Sequence, residues 1–247
     1  MVENSLSGTD IVILAGGLGT RIKPVLGDVP KLLAPIEDRT YLDYLFDWLE
    51  GFGARRVILS LGHLADQVID YIQAHPHATI IVETVVERAP LGTAGALRLV
   101  RPHVKSEISL VMNGDSWIGC DLALFAATHR AGGADASILC VRVEDAGRYG
   151  LVDVDPKGRI RAFHEKQPNA GPGLINAGVY AFSKAAWDTL SEVEGPSLER
   201  DFFQTRPPST LAAYDAGNVP FIDIGTPESL ARAAQIIGGK GADLGDS

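Results

Sequence analysis

Apolar and polar positions along the chain follow two periods. Residues 10–14 (DIVIL) form an apolar run of strand length, with AGGLGTR directly behind it. Within 41–51, Leu42, Leu45, Phe46 and Leu49 recur at helical spacing, which predicts an amphipathic helix ending at a glycine. Residues 56–61 predict the next strand, 64–74 a helix, 79–86 a further β-rich run, and 94–101 a short helix. Segments 107–112 and 136–143 read as strands on either side of a helix over 121–130. This alternation is what a mostly parallel sheet with crossover helices requires.

The rhythm changes after Tyr149. Two period-2 runs flank Pro156-Lys157-Gly158 and predict a β-hairpin. A Pro/Gly loop (167–173), a strand (174–182), a helix from about Ala185 and a last helix over 227–237 complete the pattern. Neither an internal repeat nor a Gly/Ser linker divides it. Residues 10–237 therefore read as one domain, with 1–9 and 238–247 expected to be flexible ends.

Composition narrows the classes. The 247 residues are 46% hydrophobic and 21% charged, ordinary for a globular chain. With 22 basic against 31 acidic residues the net charge is −9, which argues against nucleic-acid partners but leaves room for one nucleotide in a local cationic pocket. No stretch approaches the roughly 18 apolar residues of a membrane span, and the first ten residues lack a secretion signal. Cys120 and Cys140 cannot build a disulfide framework, so reduced core thiols in a cytoplasmic protein are expected.

Several segments can carry chemistry. In Leu14-Ala15-Gly16-Gly17-Leu18-Gly19-Thr20-Arg21, glycines allow close approach to a ligand and N–H groups can cradle phosphate oxygens. The loop fits neither common phosphate pattern: G-x-G-x-x-G begun at Gly17 meets Ile22 at its last position, and no Gly-Lys-Ser/Thr follows. Arg21, Lys23 and Lys31 lie close behind and suit a triphosphate; a plain turn with solvated charges is the other reading. Asn113-Gly114-Asp115 puts a carboxylate beyond an inner strand, where open α/β sheets bind ligands. Asp223 is set in the apolar FIDIGT. Two such carboxylates suit Mg²⁺, unless Asp115 caps a turn and Asp223 pairs with a base.

Glu87 precedes Pro90-Leu91-Gly92-Thr93-Ala94-Gly95 at a strand end, and Thr93 is placed to cap the helix that follows. A carboxylate there can accept the N1–H and N2–H₂ of guanine, or simply face solvent. Glu165-Lys166 suits hydroxyls and an anion, or forms a surface ion pair. His75-Pro76-His77 lacks further ligands in a convincing pattern and reads as a loop.

In this order, LAGGLGTR, VPK, PLGTAG, NGD, RYGLV, EK, INAGVY and FIDIGTPE resemble the sugar-1-phosphate nucleotidylyltransferases. The resemblance covers nearly the whole chain and is strongest to the D-glycero-α-D-manno-heptose 1-phosphate guanylyltransferases. It implies a single α/β domain of Rossmann-like nucleotide-diphospho-sugar transferase fold, its mixed, mostly parallel sheet flanked by helices. The implied reaction moves GMP from GTP to a sugar 1-phosphate, releasing pyrophosphate; the alternatives are mannose 1-phosphate as acceptor or another sugar-1-phosphate nucleotidylyl transfer. Leu14, Ala15, Gly16, Gly17, Gly19, Thr20, Arg21 and Lys31 would hold the triphosphate side. Glu87, Gly92, Thr93 and Asn113 would complete the nucleotide site, and Asp115 and Asp223 would carry Mg²⁺.

Gly150, Glu165, Lys166 and Asn176 match positions around the sugar phosphate. Neither nucleic acid nor membrane is an implied partner, and a homodimer stays open. A noncatalytic sensor on this fold would be expected to lose Arg21, Lys31 or an aspartate; all four are present. The chain departs from the family pattern at Pro24-Val25-Leu26 and Pro30-Lys31-Leu32, and in the Gln167 inserted after EK.

Overall fold

Strand β1 (Asp10–Ala15) lies at the centre of a nine-stranded sheet because its side chains are apolar on both faces. Ile11 and Ile13 enter one core while Val12 enters the other. Successive strand side chains point to opposite faces, so a continuous apolar run serves two layers at once. The computed structural model describes residues 5–147, 149–156, 158–164 and 171–237.

After β1 come α1 (Lys23–Leu26), the short strands β2 (Pro35–Ile36) and β3 (Arg39–Thr40), and α2 (Tyr41–Gly51). Next are β4 (Arg56–Leu61), α3 (Ala65–Ala74), β5 (Ile81–Val86), α4 (Gly92–Val100), β6 (Ile108–Asn113) and β7 (Ser116–Ile118). Then follow α5 (Leu122–Gly132), β8 (Ala136–Val143), β9 (Leu151–Val154) and β10 (Ile160–His164). The remainder is β11 (Gly173–Ser183), α6 (Lys184–Ser191), β12 (Leu211–Asp215), β13 (Phe221–Asp223) and α7 (Pro227–Ile237).

The main path runs β10-β9-β11-β6-β1-β4-β5, with β8 joined to β11 and β12 to β8. β6, β1, β4 and β5 are mutually parallel, whereas β11 runs antiparallel to β6. Residues from α2, α3, α5 and α7 fill the core on one face, and α4 and α6 cover the other. Since β1 lies between β4 and β6, its C-terminal end is the point where strand order reverses. Ligands of such sheets bind there.

The expected helix over 41–51 is matched residue for residue. Thr40 begins it with a capping box: its hydroxyl accepts the Asp43 N–H, and its own N–H donates to the Asp43 carboxylate at 2.9 Å. The expected hairpin is the antiparallel pair β9–β10. A correction concerns the N-terminal segment expected to be flexible over 1–9. Leu6 is fully buried with its N–H donating to the Phe52 carbonyl at 2.9 Å, and Thr9 is buried too, so the segment is anchored at these two residues while Ser5, Ser7 and Gly8 stay exposed. Cys120 and Cys140 are free, buried thiols, and desolvation pushes the first up to about 11.

His129 on α5 is buried against the Ser137 hydroxyl at 2.8 Å, and desolvation lowers its pKa to about 4. A base with a depressed folded pKa contributes stability that is complete above its unfolded value and is lost as pH falls towards the folded one. Stability should thus decline between pH 6.5 and about 4, by roughly 3 kcal/mol if this group acts alone. His129→Gln should flatten that slope in urea unfolding at pH 7 and pH 5. The lowered pKa values of Glu83, Asp10 and Asp43 add a further loss as pH falls past their unfolded values of 4.5, 3.8 and 3.8.

Candidate active site

The glycine loop after β1 and the loops after β4 and β5 enclose a 410 Å³ cleft. Leu14, Ala15, Gly16, Gly17, Gly19, Lys31, Glu87, Gly92, Thr93, Asn113 and Asp115 all line it. Gly16 is required by closeness rather than by turn type: a Cβ there would lie 2.4 Å from Glu87 Oε1. The Glu87 carboxylate therefore rests directly on the loop backbone. Its other oxygen accepts the Leu91 N–H at 3.2 Å, which fixes its orientation.

Lys31 projects into the cleft from a single 3₁₀ turn and donates to Asp115 Oδ2 at 2.7 Å, both side chains being 22% exposed. Asp223 ends β13, which pairs with β7 so that Asp223 stands opposite Ser116. The Ile224 N–H donates to the Asp115 carbonyl at 2.9 Å, tying the two aspartate segments together. Asp223 Oδ1 accepts the Gly225 N–H at 2.6 Å. A Cβ at Gly225 would lie 2.6 Å from Asp223 Oδ1 and 3.0 Å from Arg21 Nη2, so both side chains converge on that glycine. Burial first, and then the charge of Asp115, raise the Asp223 pKa, with Arg21 and Lys31 opposing. Two close carboxylates held at this cost, with all-oxygen donors, fit a hard divalent cation.

Asp47, Glu50 and His77 also bring ligand atoms within 4.8 Å of one another. There, however, His77 Nδ1 already accepts the Ile80 N–H at 3.3 Å. Asp47 is already bound by Arg39 at 2.7 Å. That cluster is an ion-pair group.

A second hollow of 210 Å³ shares the Asn113 wall and is lined by Gly150, Asn176, Glu199 and Asp223 among others. Asn176 donates to Glu199 Oε1 at 3.1 Å and to the Tyr180 hydroxyl at 2.9 Å, while its Oδ1 accepts the Gly178 N–H at 2.8 Å. The first hollow holds Asp115 and the second Asp223, so the aspartates stand at the junction of two chambers.

Three expectations need adjusting. Thr93 does not cap α4, whose N-cap is Leu91; its hydroxyl instead accepts the Leu198 N–H at 2.8 Å. Arg21 does not line the main cleft but a smaller hollow that also holds Asp223 and Arg232. Thr20 is not among the cleft-lining residues either. Glu165 and Lys166 lie outside the described residues.

Sequence reasoning missed His63, Ser116, Glu199 and Gln204 as wall residues. His63 sits just beyond the C-terminal end of β4, where strand-end logic could have found it. Glu199 lies on a single π-helical turn, Leu198–Phe202, which has no periodic sequence signal.

Residues 10–239 match the family model described as nucleotidyl transferase. The chain is 33% identical over 220 residues to the D-glycero-α-D-manno-heptose 1-phosphate guanylyltransferase of Campylobacter jejuni, covering 88% of this chain and 95% of that protein. It is 31% identical to the mannose-1-phosphate guanylyltransferase of Mycobacterium tuberculosis, over 91% of this chain and 63% of that one. Among solved structures, HddC from Yersinia pseudotuberculosis complexed with GMP-PN superposes with a TM-score of 0.81 at 34% identity, covering 92% of this chain and 98% of that one. With the glycine loop, the paired aspartates and the adjoining chambers all lying inside the matched span, the chain belongs to the nucleotidyl transferase family.

Proposed function

We propose that this enzyme transfers GMP from GTP to a sugar 1-phosphate, with D-glycero-α-D-manno-heptose 1-phosphate as the acceptor. The observation that carries this reading is the pair of chambers meeting at Asp115 and Asp223, one walled by the glycine loop and the other by Gly150 and Asn176. The guanylyltransferase relatives, which match over nearly their whole length in the heptose case, support guanine and heptose. Mannose 1-phosphate is the second reading, favoured by the mycobacterial relative.

In the proposed reaction a sugar-phosphate oxygen attacks the α-phosphorus of GTP. The new P–O bond forms as the bond to pyrophosphate breaks, and pyrophosphate leaves with the electron pair. A phosphate oxyanion is already nucleophilic at neutral pH, so no strong base is required. The protein's task is to align two anions and offset their repulsion. Lys31 at the mouth of the first chamber supports the triphosphate, and Arg21, beside Asp223, supports the departing pyrophosphate. Asn176, held by Glu199 and Tyr180, orients the sugar, with Glu165 and Lys166 completing that side. Family members generally use a divalent metal. Here Asp115 and Asp223 would hold Mg²⁺, which would supply positive charge to offset the repulsion of the phosphates.

A pyrophosphate-release screen of GTP, ATP, UTP, CTP and dTTP against heptose, mannose and glucose 1-phosphates tests the reading. Fastest turnover with GTP and the heptose is expected; a preference for UTP would overturn the guanine assignment, and a preference for mannose 1-phosphate the heptose. Glu87 should read the base. Glu87→Gln removes one acceptor and adds a donor, so the kcat/KM preference for GTP should shrink by about 1–3 kcal/mol while turnover persists. An unchanged preference ratio would leave Glu87 as a support for the glycine loop and an acceptor for the Leu91 N–H.

A further inference from the structure

Glu199, on the π-helical turn Leu198–Phe202, lines the second hollow beside Asn176 and Gly150. Its Oε1 accepts the Asn176 N–H at 3.1 Å, whereas nothing among the described residues donates to Oε2. Asn176 itself is nearly spent. Its two amide protons go to Glu199 and Tyr180, and its Oδ1 already accepts the Gly178 N–H. The turn beneath Glu199 is a rigid support. Leu198, Phe202 and Phe203 are buried, and Phe202 stacks on Phe182 with ring centroids 5.5 Å apart. From the nucleotide side α4 clamps the same segment: Arg98 donates to the Gly195 carbonyl at 3.0 Å, and the Ala94 N–H to the Pro196 carbonyl at 2.9 Å. The Thr93 hydroxyl adds a third tie through the Leu198 N–H. A carboxylate is thus held at the wall of the hollow with one acceptor oxygen uncommitted.

We propose that Glu199 reads the acceptor sugar, its Oε2 accepting the proton of a sugar hydroxyl in the second hollow. The inference rests on the reading of that hollow as the sugar 1-phosphate site. An ionised carboxylate accepts hydrogen bonds and repels phosphate, so its partner is the neutral, hydroxyl-bearing part of the acceptor. Hydrogen bonds to a charged acceptor are the stronger kind, and a site built to bond a hydroxyl rejects the analogue that lacks it. Glu199 therefore does more than hold Asn176: it selects among sugars.

The test is Glu199→Gln, whose side-chain oxygen can still accept the Asn176 N–H while the charge and the uncommitted acceptor are lost. At saturating GTP, kcat/KM for heptose, mannose and glucose 1-phosphates is measured for wild type and variant, with thermal unfolding in parallel. On the sugar that the wild type prefers, Glu199→Gln should lower kcat/KM about 10–100-fold. The KM for GTP and the unfolding temperature should not move. Monodeoxy analogues of that sugar 1-phosphate then locate the contact: on the one lacking the hydroxyl that Glu199 bonds, the gap between wild type and variant should close. A gap that persists on every analogue would leave Glu199 as a support for Asn176 and overturn the inference. Equal kcat/KM on the preferred sugar, or a loss that falls equally on GTP, would overturn it too, with the sugar-site reading intact. No wild-type turnover with any of these sugar 1-phosphates would overturn that reading and the inference with it.

Discussion

Asp115→Ala and Asp223→Ala should each lower kcat roughly 10³-fold or more, the scale of several kcal/mol of lost charge stabilisation at a metal-assisted centre. Steady-state rates at saturating substrates and Mg²⁺ check this, and near-normal turnover by either folded variant would remove that residue from the site. Stability should move the other way for Asp223. Its carboxyl pKa is raised by burial and by Asp115, so the protonated form is favoured in the fold. Stability is then present below the unfolded pKa near 3.8 and declines as pH rises past it. Asp223→Asn stays neutral at every pH and should unfold at a higher temperature than wild type at pH 7 without metal. A gain in stability joined to a loss of turnover is the signature of a charge kept for chemistry.

Lys31→Ala and Arg21→Ala should each reduce kcat by about 10²–10³, the cost of removing one preorganised donor from a developing charge. The two losses should differ in kind. Lys31 is bonded to Asp115 at 2.7 Å, so its removal also leaves a carboxylate next to Asp223 without its counter-ion. Lys31→Ala should therefore change the Mg²⁺ dependence as well as kcat. Arg21 opposes the raised pKa of Asp223 from outside the main cleft, and its loss should fall on turnover with little change in GTP affinity. An effect confined to KM in either variant would assign that cation to ground-state binding.

Elements with strong period and clear punctuation were legible in the sequence. The α2 pattern, with threonine before it and a buried leucine face, specifies its own limits, and the DIVIL and RVILSL runs specify central strands. The short β7–β13 pair was not legible as a sheet, because three-residue strands such as β13 have too little periodicity and depend on each other across the chain. The glycine loop announced the main cleft, yet not that Glu87 would lie on Gly16, a contact made only when β1 and β5 flank β4. Thr93 was misread because the cap motif is local, whereas its real partner, Leu198, comes from a distant turn. Side-chain direction at Arg21 likewise depends on Gly225, which no local pattern connects to it.

The position of β1 bears on how the chain emerges during synthesis. This strand precedes both of its partners along the chain, pairing on one edge with β4 and on the other with β6. Its apolar residues Ile11, Val12, Ile13 and Leu14 thus wait first for β4, which ends at residue 61, and then for β6, which ends at residue 113. Asp10 opens the strand with a carboxylate whose final partners are Arg56 and the N–H groups of Lys105 and Ser106. A free charge at one end and a glycine loop at the other keep so short a run soluble while it waits. The same aspartate becomes a lock once β6 docks, so the carboxylate guards the nascent strand first and fastens the finished sheet afterwards.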